Sequence, residues 1–339
     1  MPTDQLNRML KDLRISVTDR CNFRCPYCMP AELYGERYKF LQKSQIMTFE
    51  ETTRLTGIFV GLGVTKLRLT GGEPLVRTDL ETLVGMLASI DGVEDIAMTT
   101  NGYLLAQHAQ SLYAAGLHRV TVSLDSLDGE VFRTLNGRDF DVDKILEGIQ
   151  SASDAGLTPI KINSVVMKGV NDTTVADLAR WCKEKGYIAR FIEYMDVGNL
   201  NDWQSDQVVS AAEILERIDA ELPLEEMEPN YPGEVAKRWR YKDGSGEVGV
   251  IASMSSPFCG NCTRARLSTD GHLFTCLFGS VGLDLLGPMR NGASDEEVAD
   301  LINGTWSART DRYSELRASI EKPLSVDAKP KVEMFKIGG

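Results

Sequence analysis

Histidine is nearly absent: His108, His118 and His272 are the only three in 339 residues. Any metal site here therefore has few imidazoles to draw on. No apolar run approaches the ~20 residues of a membrane-spanning helix. Met1-Pro2-Thr3-Asp4 opens without the basic and apolar stretches of a secretory leader, so a cytoplasmic location is expected. Positive charge is in deficit, 37 Lys and Arg against 49 Asp and Glu, for a net charge of −12. The long-range field of such a chain repels phosphate polymers and anionic membranes, so neither nucleic acid nor membrane is expected as a partner. No G-x-G-x-x-G follows the first predicted strand, which argues against a dinucleotide-dependent dehydrogenase. Internal repeats and low-complexity tracts are also missing.

What is present is an ordinary globular composition, 42% hydrophobic and 25% charged. It is long enough for one large or two ordinary domains. Six short runs read as strands: Leu13 to Thr18, Lys66 to Thr70, Asp95 to Thr100, Arg119 to Asp125, Pro159 to Met167 and Ala189 to Tyr194. Helical patterns over Phe49 to Leu62, Leu80 to Ser89, Leu104 to Ala115, Asp143 to Ala155 and Val175 to Lys185 alternate with them. Such βα alternation predicts an α/β protein with a parallel sheet, open or curved into a barrel. After residue 197 the pattern changes. A helix is expected over Ala211 to Leu222, an acid- and proline-rich stretch over Pro223 to Gly233, and a hairpin over Lys237 to Ser253 turning at Asp243-Gly244-Ser245-Gly246. A last helix is expected from Asp295 to Ile302. The division drawn from this is 1–222 and 223–339, the second part ending in a tail from Lys322 to Gly338-Gly339.

Strand faces carry further information. Period two puts Arg14, Ser16 and Thr18 opposite Ile15 and Val17; Lys66, Arg68 and Thr70 opposite Leu67 and Leu69; and Thr121, Ser123 and Asp125 opposite Val120, Val122 and Leu124. A parallel sheet covered on both sides should be apolar on both faces. One persistently polar face points to a concave site. The sixth strand leaves its register open, because Arg190 and Tyr194 share a face with Ile192.

Six of seven cysteines form two groups, Cys21/Cys25/Cys28 and Cys259/Cys262/Cys276. Cys182 stands apart on a helical pattern and is expected to be a buried small hydrophobe. In a reducing compartment, clustered thiols hold metal rather than disulfides. Cys21-Asn-Phe-Arg-Cys25-Pro-Tyr-Cys28 supplies three soft ligands with no histidine nearby, one short of a closed zinc set. On spacing alone, an iron–sulfur cluster with one open iron and a zinc ion with a distant fourth ligand both remain. For the second group, Cys-x2-Cys-x13-Cys, His272 makes zinc a fairer competitor.

The Cys-x3-Cys-x2-Cys motif directly after the first strand, with Tyr27 before its third cysteine, resembles the radical S-adenosylmethionine (SAM) superfamily. Gly71-Gly72-Glu73-Pro74 at the end of the second strand resembles that family's glycine-rich SAM-binding turn. The resemblance implies a partial (βα)6 TIM-type barrel with a C-terminal extension carrying a second cluster. It also implies SAM on the open iron of an N-terminal [4Fe-4S] cluster, the cofactors supplying the radical chemistry. Leu13-Arg-Ile-Ser-Val-Thr-Asp-Arg-Cys21, Lys66-Leu-Arg68-Leu-Thr-Gly-Gly, Ile192-Glu-Tyr-Met195-Asp-Val-Gly, the second thiol group with Arg264 and Arg266, and the terminal double glycine narrow the resemblance. They are similar to the GTP-cyclising branch that opens molybdenum cofactor biosynthesis.

That branch implies two [4Fe-4S] clusters, on Cys21, Cys25 and Cys28 and on Cys259, Cys262 and Cys276. It implies SAM contacts at Tyr27, Gly72, Ser123 and Met195, and GTP contacts at Arg14, Lys66, Arg68, Thr99, Lys161, Arg190, Arg264 and Arg266. Asn163, facing with Lys161, is a further candidate. Independently of the family, these cations stand out on an acidic chain. As a set on one polar face they fit a polyanion, since arginine forks bind phosphate bidentately. The implied reaction abstracts the ribose 3′ hydrogen of GTP and joins C3′ to C8, giving (8S)-3′,8-cyclo-7,8-dihydroguanosine 5′-triphosphate. The implied partners are a low-potential electron donor of flavodoxin or ferredoxin type, cyclic pyranopterin monophosphate synthase as the next enzyme, and a second copy in a homodimer. The terminal glycines are implied to reach into the active site. Two rivals remain: a radical SAM enzyme maturing peptides, and a zinc-stabilised binding module without catalysis.

Overall fold

The six alternating segments form strands β1 (Asp12–Ser16), β2 (Lys66–Thr70), β3 (Asp95–Thr100), β4 (Arg119–Ser123), β5 (Lys161–Val166) and β6 (Ile188–Glu193). They lie side by side in chain order and run parallel. The protein is described by a computed structural model over residues 1–200, 203–231, 233–317 and 330–338. The connections carry helices α1 (Phe49–Gly61), α2 (Leu80–Ala88), α3 (Leu105–Ala114), α4 (Gly129–Asn136), α5 (Val142–Ala155) and α6 (Val175–Lys185). Helix α4 has no counterpart in the sequence reading; Asp128 caps it by accepting from the amides of Glu130 and Val131. Helix starts follow local chemistry. Thr48 and Glu51 form a capping box at α1, and left-handed glycines Gly156 and Gly186 end α5 and α6.

The alternation expected along the strands is realised. Leu13, Ile15, Leu67, Leu69, Val120, Val122 and Ile162 are buried under the helices in one continuous core, with Cys182 among them. The opposite face is hollow: adjoining a second cavity, one cavity there is lined by side chains from every strand of β1 to β6. The open register of β6 is settled by Arg190 and Ile192, which both face this cavity, while Ala189 and Phe191 are fully buried behind it.

The chain beyond residue 197 extends the same sheet at both ends. After α7 (Ala211–Asp219) come β7 (Leu224–Met227), β8 (Lys237–Tyr241) and β9 (Glu247–Ile251). β8 and β9 form the expected hairpin, and β9 adds to β6 in parallel. β10 (Arg264–Leu267) adds to the other side, parallel to β1, followed antiparallel by β11 (His272–Phe274) and β12 (Leu283–Asp284). The result is one twelve-stranded sheet. Helices α8 (Leu286–Arg290), α9 (Asp295–Ser307), α10 (Tyr313–Leu316) and α11 (Met334–Ile337) complete the described elements. Half of the expected tail, residues 322–329 and Gly339, lies outside the described residues.

Candidate active site

Two cavities open on the concave face. The first lies against the C-terminal ends of the strands. The loop leaving β1 carries Cys21, Cys25 and Cys28, and all three line this cavity with Tyr27, Gly71, Gly72, Ser123, Asp125, Asn163 and Met195. The glycine pair is explained by backbone crowding. A Cβ on Gly72 would sit 2.2 Å from the Arg20 carbonyl oxygen, and one on Gly71, at φ +151°, 2.5 Å from that of Thr18. The amides of Gly72 and Glu73 donate to those same two carbonyls at 2.8 Å each. Side chains there would push the thiol loop away. The Tyr27 hydroxyl donates to Asp125 at 2.8 Å, and burial pushes the Asp125 carboxyl up to about 6.

Glu73, quoted only as part of the glycine motif, has a structural task. Fully enclosed, it accepts from Thr100 Oγ1 (2.7 Å) and from the amides of Asn101 (2.6 Å) and Leu75 (3.0 Å), tying the end of β2 to that of β3. Burial raises it to about 7.

The second cavity lies toward the start of the strands. It collects Arg14, Lys66, Arg68, Thr99, Asn163, Arg190, Met195, Arg264 and Arg266 with Cys259, Cys262 and Cys276. Pairing brings the thiols together. Cys262 precedes β10, β11 runs back antiparallel to it, and Cys276 follows β11 at the same end. Lys161 is not a wall residue of this cavity but sits beside it among Arg190, Arg119 and Arg68. Arg119, Tyr231, Glu234, Arg309 and Asp311 line the cavity although the sequence reading passed them over. Arg119 was within its reach, since it shares the period-two face of Thr121 and Ser123. It pairs with Asp95, its Nε 3.0 Å from Oδ1.

Register makes the electrostatics severe. Arg14 lies level with Arg266 on one side and with Arg68 on the other, and neighbouring strands are only ~4.8 Å apart. Burial first, then Arg266 and Arg264, holds the Arg14 guanidinium well below its usual basicity. Burial and Arg14 bring Arg68 to about 9, and burial and Arg264 bring Arg266 to about 10. For Lys161, burial followed by Arg190 and Arg119 gives about 7. Like charges this crowded are relieved by a multivalent anion. Arg68 is oriented by donating to the hydroxyls of Thr99 and Thr121, each at 3.1 Å. The chain end also arrives here: Arg266 donates to the Ile337 carbonyl at 3.2 Å and to that of Gly338.

The thiol chemistry suits metal. Burial pushes Cys21 up to about 12 and raises Cys25 and Cys28 strongly, so a positive partner is needed to hold them as thiolates. Burial also opposes ionisation of Cys262, but Arg264 and Arg309 overcome it and bring the thiol down to about 6. The Arg264 guanidinium stands 3.4 Å from its sulfur. Among the described residues, no three His, Cys, Asp or Glu side chains gather around one point as a single ion requires. Each cysteine trio lines a cavity wall, and thiolates are the ligands that iron–sulfur clusters take. No helix among the described residues is long and apolar enough to cross a membrane.

Two family models match, Radical SAM superfamily over residues 15–182 and Molybdenum Cofactor Synthesis C over residues 187–315. A GTP 3′,8-cyclase of Acidothermus cellulolyticus is 54% identical over 93% of this chain and 88% of its own length. One from Xanthomonas axonopodis pv. citri is 49% identical over 99% of this chain and 98% of its own. Among solved structures, Streptococcus suis SuiB bound to precursor peptide SuiA matches with a TM-score of 0.61 at 14% identity. That match covers 97% of this chain and 71% of SuiB, a likeness of fold alone.

Proposed function

This chain belongs to the GTP 3′,8-cyclase family within the radical SAM superfamily, and on that footing we propose that it converts GTP to (8S)-3′,8-cyclo-7,8-dihydroguanosine 5′-triphosphate, opening molybdenum cofactor biosynthesis. The observation that carries the reading is the junction of the two cavities, where Thr99, Asn163, Ile192, Met195 and Leu277 line both. A group bound among the first thiols and an anion bound among the arginines would meet there.

When bound, the first cluster and SAM supply one-electron reduction and hydrogen-atom abstraction. Cys21, Cys25 and Cys28 would hold that cluster, and Tyr27, Gly72, Ser123 and Met195 would seat SAM. The triphosphate would take its charge complement from Arg14, Lys66, Arg68, Lys161, Arg190 and Arg266. Cys259, Cys262 and Cys276 would hold a second cluster beside the guanine, with Arg264 offsetting thiolate charge. The task of these side chains is positioning: ribose C3′ must face the first cavity while guanine C8 stays within closing distance of it. In this reading the curled sheet is a partial (βα)6 barrel, residues 1–222 carry the radical machinery, and residues 223–339 close it. Supply of the electron by a flavodoxin- or ferredoxin-type donor, hand-over of the product to cyclic pyranopterin monophosphate synthase, a homodimer and a cytoplasmic location belong to the same proposal.

The test is an anaerobic reaction of the reconstituted protein with SAM, a reductant and GTP deuterated at the ribose 3′ position. Deuterium should move into 5′-deoxyadenosine, and its formation should require GTP. Equal formation without GTP would refute the substrate assignment, as would unlabelled 5′-deoxyadenosine.

A further inference from the structure

We propose that Asp4, Arg8 and Arg309 form a positioning unit for the second thiol group, two buried guanidinium ions that fix the backbone of Cys259 and Cys262 and set the electron affinity of the cluster these cysteines would hold. The inference rests on the two-cluster reading above. All three residues are almost wholly enclosed, at 5%, 3% and 5% exposure, although some 300 residues of chain separate the first two from the third. Arg8 uses one nitrogen to donate to the carbonyls of Cys259 and Asp311, each at 2.8 Å. Arg309 donates to the Cys262 carbonyl at 2.8 Å. Both ends of the Cys-x2-Cys turn are thus held by charged donors.

Asp4 anchors the pair. It accepts from Arg8 Nε at 2.6 Å and stands 3.6 Å from the Arg309 guanidinium. Trp306 completes the arrangement, its indole donating to the Arg8 carbonyl at 3.0 Å with Arg309 lying 4.6 Å over its ring. Other charges nearby include Asp311, 3.1 Å from Arg309, Arg264, against the Cys262 sulfur, and Glu315, which accepts from the Gly260 amide at 2.9 Å and pairs with Arg312.

Reduction adds a negative charge to a cluster, and buried cations a few ångströms away stabilise that charge because solvent does not screen them. Removing a cation must therefore lower the midpoint potential, and removing the anchoring anion must raise it. A role confined to packing would not produce opposite signs. Arg8→Gln, Arg309→Gln and Asp4→Asn would be made in the full chain, reconstituted anaerobically, and titrated potentiometrically by electron paramagnetic resonance. Both Gln variants should shift the second cluster's potential downward and Asp4→Asn upward, with the first cluster's signal unmoved. If Arg8→Gln yields no folded protein, judged by loss of the first cluster as well, the opposed signs of Arg309→Gln and Asp4→Asn carry the test. Shifts of one common sign, or none, would overturn the inference. About four irons in the unsubstituted chain, in place of about eight, would overturn the two-cluster reading itself.

Discussion

Binding of the triphosphate should draw a proton from solvent onto Lys161. Burial and the neighbouring Arg190, Arg119 and Arg68 hold this amine at about 7 in the unligated protein. A bound polyanion reverses the local field and restores the ordinary lysine range, near 10. At pH 8 about nine-tenths of the unligated lysines are then neutral and nearly all the ligated ones charged, an uptake of about 0.9 proton per GTP; at pH 7 it is about 0.5. Affinity should correspondingly fall about fivefold from pH 7 to pH 8 through this group alone. Arg68, held at about 9, adds a second uptake only at higher pH.

Isothermal titration in buffers of different ionisation enthalpy counts the protons directly, and Lys161→Met should abolish the uptake at pH 8. The same shift has a sign for stability. The unfolded chain keeps this lysine protonated up to its ordinary pKa, so between about 7 and 10 it binds more protons than the folded chain. Stability without ligand should therefore rise with pH across that window. Uptake near zero at pH 8, or an uptake that survives Lys161→Met, would refute the reasoning.

Arg266→Ala removes one flank of the Arg266–Arg14–Arg68 row and the donor to the Ile337 and Gly338 carbonyls, so GTP affinity should fall at least 100-fold, read by calorimetry, with SAM binding retained. Gly72→Ala places a methyl 2.2 Å from the Arg20 carbonyl. The displaced thiol loop should lose the first cluster and its absorbance while the second survives. Cys259→Ser should do the converse, about halving iron and acid-labile sulfide while SAM-dependent spectral changes persist.

The six parallel strands and their helices were legible because each is long enough to show its own period. Observed limits fall within two residues of those expected, matching at Lys66–Thr70 and differing by two at the strand ends near Thr18 and Asp125. The polar face was legible for the same reason, and it brought Arg14, Arg68 and Thr121 to one cavity. What escaped depends on pairing between distant segments. β10 has four residues, too few for a period, and its place is set by β1 some 250 residues away; β12, of two residues, is placed through β11. Asp4, Arg8 and Arg309 escaped for a related reason: nothing local marks them, and only the fold brings them to the cysteine turn. The terminal glycines show the reverse. Nothing in their local sequence marks a site, and the resemblance alone pointed them inward; Gly338 accepts from Arg266 there.

The pairing of β1 with β10 makes the sheet a ruler. The first thiol loop leaves the upper end of β1, and the second thiol turn feeds the lower end of β10, with Asp12 level with Arg264 and Ile15 with Leu267. Between Asp12 and Ser16 the backbone rises four steps of ~3.3 Å, about 13 Å, and hydrogen bonds to β2 and β10 stop it from stretching. Any molecule worked on by both ends must match that interval. One residue inserted in β1 would lengthen it by a single step and turn Arg14 to the far face. Strand length thus fixes how far apart along the sheet the two thiol loops emerge, and that interval changes only where β1 and β10 change together.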